Sequence, residues 1–410
     1  MRLGPFDFDA KTGLEGIYTT NVDEVRPSEA TAEMEDYYAI WSFDLFSTTA
    51  FNPNTKVQLD TGISIEKHAN RPDLDNSESP FGRFLLRFDT DLNRFVVYGE
   101  VSYEKSSDSQ TLDDIFIPEG YPRKGRRIGS TLDYLGGVDW SYDRYSAGAS
   151  YEYSEERYDD EDYKDGEKDE ATYSYYFSID LLQNLAIGYE FEHKETAYIN
   201  DTPPETIIEE TQTINLDWDL QLVKRPRVTY TLAIENEEKS TTAPSDWQLT
   251  HTVRVEDDWN FAQNLAFGYY ASYEYKQEYT ADEIAFLYGA TLDHQINALA
   301  SQRFSAERQP VETFGSTDET DETTLSYLLE IKDIFIPDLK FSGGITHTIS
   351  VPVDGPTERT WEYDVTFAHS RSLTRNLSRV LAYNYSLEQS NFYDEDLEVH
   401  EVSLSLVYTF

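Results

Sequence analysis

The chain has 410 residues, no cysteine and a formal net charge of −45, from 33 basic and 78 acidic side chains. Such a charge excludes a nucleic-acid partner, whose phosphates demand a basic surface. The absence of cysteine excludes disulfides, thiolate metal sites and cysteine nucleophiles, and no apolar run approaches the roughly 18 residues of a spanning helix.

Along the chain, 31 Tyr and 22 Phe recur too regularly for a disordered polymer. The opening MRLGPFDFD has neither the basic start nor the apolar run of a secretory signal, so an exported chain would begin here at a mature or recombinant terminus. From residue 6 onward the dominant pattern is alternation with period two, in segments of about ten residues, as strands with two unlike faces require. Between Thr55 and Glu66, Val57, Leu59, Ile63 and Ile65 share one face, and Gln58, Asp60, Ser64 and Glu66 share the other. Phe95, Val97, Val101 and Tyr103 oppose Tyr98, Glu100, Ser102 and Glu104 in the same way. The pattern continues through Ile214, Leu216 and Trp218 against Asp217 and Asp219, and ends with Val402, Leu404, Leu406, Tyr408 and Phe410 against Glu401, Ser403 and Ser405.

About twenty such segments (18–22) can be placed, starting near residues 6, 36, 55, 81, 93, 128, 144, 171, 184, 212, 227, 246, 263, 283, 296, 322, 338, 360, 376 and 398. Their connections alternate between two classes. One is tight: NPNT at 52–55, TDLN at 90–93, LLQN at 181–184, VKRPR at 223–227 and SLTRN at 372–376. The other is long and acidic, at 20–35, 68–79, 105–127, 155–170, 195–210, 238–245, 308–321, 351–359 and 389–396. Short turns on one rim and long loops on the other is the plan of an outer-membrane barrel.

Alternation alone does not separate a membrane barrel from a soluble sheet. Three features do. The apolar face carries almost no charge at mid-segment, where a lipid-facing Arg or Lys would cost roughly 2–4 kcal/mol. Aromatics gather towards segment ends, as in Tyr18, Tyr103, Trp140, Tyr153, Trp247, Trp361 and Tyr408, where interfacial girdles belong. An even strand count with both termini on the short-turn rim also lets the sheet close, as hydrocarbon demands of every backbone N–H and C=O. Propellers and β-solenoids need a fixed repeat, and none is found. The expected fold is therefore all-β: one transmembrane antiparallel up-and-down β-barrel spanning 1–410, in the bacterial outer membrane. Its first strand starts within the first ten residues, which leaves no room for an N-terminal plug domain.

The chain ends SLSLVYTF, an alternating strand closing on Phe410 in phase with the apolar face. In this it resembles bacterial outer-membrane barrels as a class, whose terminal Phe is read by the barrel-assembly machinery. The opening GLEGIYTTNVDEV and the closing SRVLAYNYSLEQSNFYDEDLEVHEVSLSLVYTF look like β-barrel porin families, some of them linked to exopolysaccharide export. That resemblance implies passage of solutes or polymer across the outer membrane.

No HExxH, GxSxG or phosphate-cradling glycine loop is present, so no enzyme, catalytic residue or cofactor is expected. Of the seven His residues (His68, His193, His251, His294, His347, His369 and His400), several are expected at strand ends in outward phase, which suits interfacial placement. The acidic run YDDEDYKDGEKDE at 158–170 lacks the EF-hand spacing and reads as a solvated loop rather than a metal site; it could weakly bridge divalent cations to lipopolysaccharide phosphates. DIFIP occurs twice, at 114–118 and 333–337, on opposite rims in this topology.

The inward face holds the candidate pore-lining residues. Asp60, Glu100, Asp133, Glu152, Glu190 and Asp217 stand there, followed by Asp219, Glu274 and Asp364, with Arg254, Arg303 and Lys340 as basic partners. Ion-paired polar filling would keep a wide barrel rigid, and an acid excess would attract cations. The leading expectation is a porin passing small hydrophilic or cationic solutes through an acidic lumen. An export conduit for exopolysaccharide is the first alternative; it would line the lumen with sugar-stacking rings such as Tyr98, Tyr176 and Tyr270. A non-conducting scaffold holding a periplasmic or lumenal protein partner is the second. Outer-membrane lipid and lipopolysaccharide are the expected surroundings in every case.

Overall fold

The computed structural model describes residues 2–3, 6–22, 34–77, 79–108, 127–159, 164, 166–200, 205–220, 226–239, 246–277, 282–312, 319–352, 356–393 and 395–410. A two-residue β1 (Arg2–Leu3) folds back on β2 (Phe6–Thr19). The chain then runs to and fro as β3 (Asp36–Asn52), β4 (Thr55–His68), β5 (Phe81–Asp91), β6 (Phe95–Asp108), β7 (Arg127–Tyr142), β8 (Tyr145–Tyr158), β9 (Lys168–Leu182) and β10 (Leu185–Tyr198). It continues as β11 (Glu205–Asp219), β12 (Arg227–Lys239), β13 (Asp246–Ala262), β14 (Leu265–Gln277), β15 (Asp282–Gln295) and β16 (Ala300–Glu312). Last come β17 (Glu319–Lys332), β18 (Leu339–Pro352), β19 (Glu358–Ser372), β20 (Leu377–Ser390) and β21 (Leu397–Thr409).

Each strand pairs antiparallel with the next, and β21 pairs with β2, Leu406 opposite Leu14. The sheet therefore closes as a barrel of 20 strands without an edge. With strands about 4.8 Å apart and tilted about 40°, such a barrel is about 40 Å across at the backbone. Helix among the described residues is confined to 3-10 turns, and no plug domain is found among them.

The register carries two unlike faces around the whole tube. Leu14 stands opposite Leu406 and Trp41, and Trp41 opposite Ile65. These side chains lie on the convex face, and Leu14, Trp41 and Leu406 are well exposed, as a lipid-facing belt must be. The neighbouring residues Glu15 and Ser42 turn to the enclosed, polar face. Among the described residues, buried apolar side chains are correspondingly few, namely Val22, Leu74, Phe81 and Tyr158. The fold rests on a closed backbone ladder in an apolar medium more than on an interior core.

Strand order and direction follow the alternation in the sequence, but several ends differ. β11 begins at Glu205, not near 212, and β9 and β17 begin at Lys168 and Glu319, each a few residues early. The segments in question (ETIIEE, KDEA and ETDE) are charged, which favours reading them as loop. Beyond the hydrocarbon a strand can carry charge on both faces at little cost, so the barrel wall continues into the loop-side water. Two turns absent from the tight class, Asp143–Arg144 and Gln263–Asn264, are two-residue hairpins. Asp143 (φ 55) and Asn93 (φ 74) supply the positive φ that tight hairpins need. DIFIP at 333–337 forms a short-rim turn with positive φ at Asp333 and Phe335. Its copy at 114–118, most of the 105–127 loop, most of VKRPR at 223–227 and much of the acidic run at 158–170 lie outside the described residues.

Candidate functional site

The polar face is continuous by register. Ser102 stands opposite both Leu85 and Asp133, and Asp133 opposite Ser154, so β5, β6, β7 and β8 share one inward row. The same parity places Asp60, Glu100, Asp133 and Glu152 on that face, and after them Glu190, Asp217 and Asp219. Arg254, Glu274, Arg303, Lys340 and Asp364 follow on the second half of the barrel.

Many of these charges are matched locally. Arg83 reaches Asp44 at 2.9 Å and Asp60 at 3.4 Å, and Arg87 lies 3.8 Å from Glu100. On the second half Arg227 holds Asp217 at 2.9 Å, Arg254 holds Glu256 at 2.9 Å and Arg303 holds Asp293 at 2.5 Å. Lys276 lies 3.8 Å from Glu274. Asp133 instead accepts hydrogen bonds from Ser102 Oγ at 3.0 Å and Ser154 Oγ at 2.6 Å. These pairs are solvated, so each contributes little stability alone. Their effect is to cancel the lumen's field where they stand.

One arc is different. On β19 and β20, Glu362 stands directly opposite Glu388, and Asp364 is two residues along on the same face. The inward residues of β19, β20 and β21 include no Lys or Arg. Like charges in direct cross-strand register destabilise a sheet, so this stripe concentrates acidic side chains on strands whose inward faces carry no Lys or Arg.

The inward tyrosines are also arranged. Tyr98 stands opposite Gly137, Tyr176 opposite Gly148 and Tyr270 opposite Gly289. In each pair the ring lies over the glycine, where a Cβ would overlap it. A ring laid beside a glycine covers the bare strand at that point. Tyr176 Oη donates to Asp139 Oδ1 at 2.8 Å. Over Tyr270 sits the Arg254 guanidinium, 4.0 Å from the ring centroid. Tyr270 is therefore covered on both faces and is no stacking platform, contrary to the expectation for an export conduit.

On the lipid-facing side lie Tyr103, Trp140, Tyr153, Trp361 and Tyr408. Trp361 stacks on His347 at 4.0 Å, and Tyr408 meets the ring of Phe410 edge-on at 5.0 Å. The Phe410 N–H donates to Ala10 at 3.0 Å, tying the C-terminus to β2. The side chain of Trp247 lies outside the described residues.

One cluster was not expected from sequence. At the loop-side rim of the polar face, buried Asp36 lies 2.5 Å from His68 Nδ1, and Tyr38 stacks on the His68 ring. β5 pairs β4 only as far as Ser64, so the last turns of β4 lack a neighbour there. The connection after it fills the gap: Asn76 Oδ1 accepts from the Glu66 N–H and Asp75 Oδ1 from the His68 N–H, both at 2.7 Å. Burial would raise the Asp75 carboxyl, but the His68 N–H and the Lys67 ammonium hold it below the usual 3.8. The Asx-rich stretch ANRPDLDN is the only sequence signal for this cap. Among the described residues, no group of three or more His, Asp or Glu could hold a metal ion.

No protein-family model matches the sequence, and no curated protein matches it. Solved structures do resemble the fold. The ferric enterobactin receptor of Pseudomonas aeruginosa superposes with TM-score 0.56 at 9% identity, covering 98% of this chain and 81% of that one. The FrpB iron transporter of Neisseria meningitidis gives 0.55 at 10% identity over the same shares, 98% and 81%. A BenF-like porin from Pseudomonas fluorescens Pf-5 gives 0.48 at 10% identity, with 98% and 99% covered. At such identities the likeness is one of fold. The chain is a 20-strand β-barrel of the bacterial outer membrane.

Proposed function

We propose that the barrel is a diffusion channel that passes small hydrophilic solutes and prefers cations. The observation that carries this reading is the contrast within the wall. Basic residues pair off the acids on β4 to β6 and β12 to β16, whereas Glu362, Asp364 and Glu388 face the lumen with no Lys or Arg on the inward face of their strands. An acidic stripe beside a low-dielectric wall concentrates cations and repels anions. Strand number points the same way, since barrels of about 16–18 strands already enclose an aqueous channel.

The test is the reversal potential of the purified barrel in a planar bilayer under a KCl gradient. A cation-selective potential that moves towards zero in a Glu362→Gln/Asp364→Asn variant is expected. A wild-type potential at zero, or one unmoved by the substitutions, would overturn the assignment of selectivity to this stripe.

A further inference from the structure

Tyr98 and Tyr176 belong to one patch on the inward wall, spread over β6 to β10. Tyr98 leans from β6 onto Gly137 of β7, and Tyr176 leans from β9 onto Gly148 of β8. β7 and β8 are neighbours, and Gly137 and Gly148 are diagonal across them, so the two rings sit over positions about 7–8 Å apart. Each has its lower face on glycine backbone. The Tyr176 residue keeps 38% of its surface exposed, which leaves its upper face to the lumen.

Carboxylates frame these rings. Asp139 accepts from Tyr176 Oη, and Glu190, exposed, stands directly opposite Tyr176 on the β10 side. No Lys or Arg stands over the Tyr176 ring among the described residues. Arg87, within electrostatic reach of Tyr98, is drawn to Asp89 at 3.1 Å and Glu100 at 3.8 Å.

The same device occurs a second time in this barrel, already filled. Tyr270 lies on Gly289 with Glu307 accepting from its hydroxyl, and Arg254 rests on its free face with Glu256 at 2.9 Å. A flat tyrosine on glycine with carboxylates beside it thus holds a planar organic cation within the protein itself. At Tyr176 no such cation lies over the ring among the described residues, and at Tyr98 Arg87 is within electrostatic reach while bound to Asp89 and Glu100.

From this we infer that the Tyr98–Tyr176 patch, with Asp139 and Glu190, is a binding site for small organic ammonium cations. Aromatic faces attract weakly hydrated cations, and the carboxylates add charge. A strongly hydrated ion such as K+ gains little from the rings, and a neutral sugar gains nothing from the charge. The inference rests on the channel reading, because it makes such amines the solute class the pore retains on its way through.

The experiment uses the folded full-length barrel in detergent and tetramethylammonium as probe, read by saturation-transfer NMR, with conductance of the same preparation recorded separately. Wild type should give saturable transfer to the methyl protons. A Tyr98→Leu/Tyr176→Leu variant should bind about five- to thirtyfold more weakly, the loss of two cation–π contacts. Tyr270→Leu should leave binding unchanged, and maltose should show no saturable transfer. Should the double variant fail the heat-modifiable gel shift of a folded barrel, Asp139→Asn/Glu190→Gln takes its place, with weakened binding again expected. Absence of saturable transfer in a conducting wild type, equal binding by the folded variant, or maltose binding at the same tyrosines would overturn this site while leaving the channel intact. Binding by a barrel that carries no current would instead overturn the channel reading.

Discussion

Glu362 and Glu388 face each other across β19 and β20, a like-charge pair in direct register on the inward wall. The pair works against the sheet that holds it, since opposed like charges destabilise by a fraction of a kcal/mol to about 1 kcal/mol. Glu362→Gln should therefore raise resistance to urea unfolding in lipid vesicles by about 0.5 kcal/mol, while lowering cation selectivity. A variant that loses stability would show that the carboxylates have partners stronger than their mutual repulsion.

The glycines beneath the tyrosines give a prediction with an internal control. At Gly148 a Cβ would overlap the Tyr176 ring and crowd Asp139, whereas at Gly16, on the lipid-facing side, it meets nothing within 4 Å. Gly148→Ala should cost roughly 1–3 kcal/mol by overpacking, and Gly16→Ala should be near neutral. Urea titration of the two folded variants checks the contrast.

The two faces differ most sharply at adjacent residues. Leu404 is exposed to lipid near the middle of β21, and its neighbour Ser405, half-buried, turns inward opposite Val380. Leu404→Arg should destabilise the barrel by roughly 2–4 kcal/mol, the cost of an arginine at mid-bilayer. Ser405→Arg should cost much less, because water can reach that side chain. Folding yields into vesicles, compared at equal lipid, read the difference.

Acid should release the loop-side cap. Asp75 is held below its usual pKa of 3.8, so its tether to His68 and Lys67 stabilises the fold above that value and is lost as pH falls through the lowered one. Hydrogen exchange at the His68 amide should stay slow near neutrality and quicken only well below pH 3.8. In Asp75→Asn that amide should exchange with no such acid step.

Much of this molecule was legible in its sequence because lipid punishes errors. A charge misplaced on the outer face of a strand such as Thr55–His68 is costly, so alternation stays clean and strand order follows. Legibility fails where that pressure ends. Above the hydrocarbon, Glu205, Glu209 and Glu210 belong to β11 although they resemble loop. Cross-strand partners were also hidden. That Tyr176 meets Gly148, or that Glu362 meets Glu388, depends on the register between two strands, and one strand's periodicity says nothing of it. His68 was legible as a strand-end residue, but its burial against Asp36 requires two hairpins to meet.

The most direct test of the channel reading is single-channel current from the purified, folded barrel in a planar bilayer. Large, steady steps with a cation-selective reversal potential are the expected result. A correctly folded barrel that inserts and carries no current would contradict it.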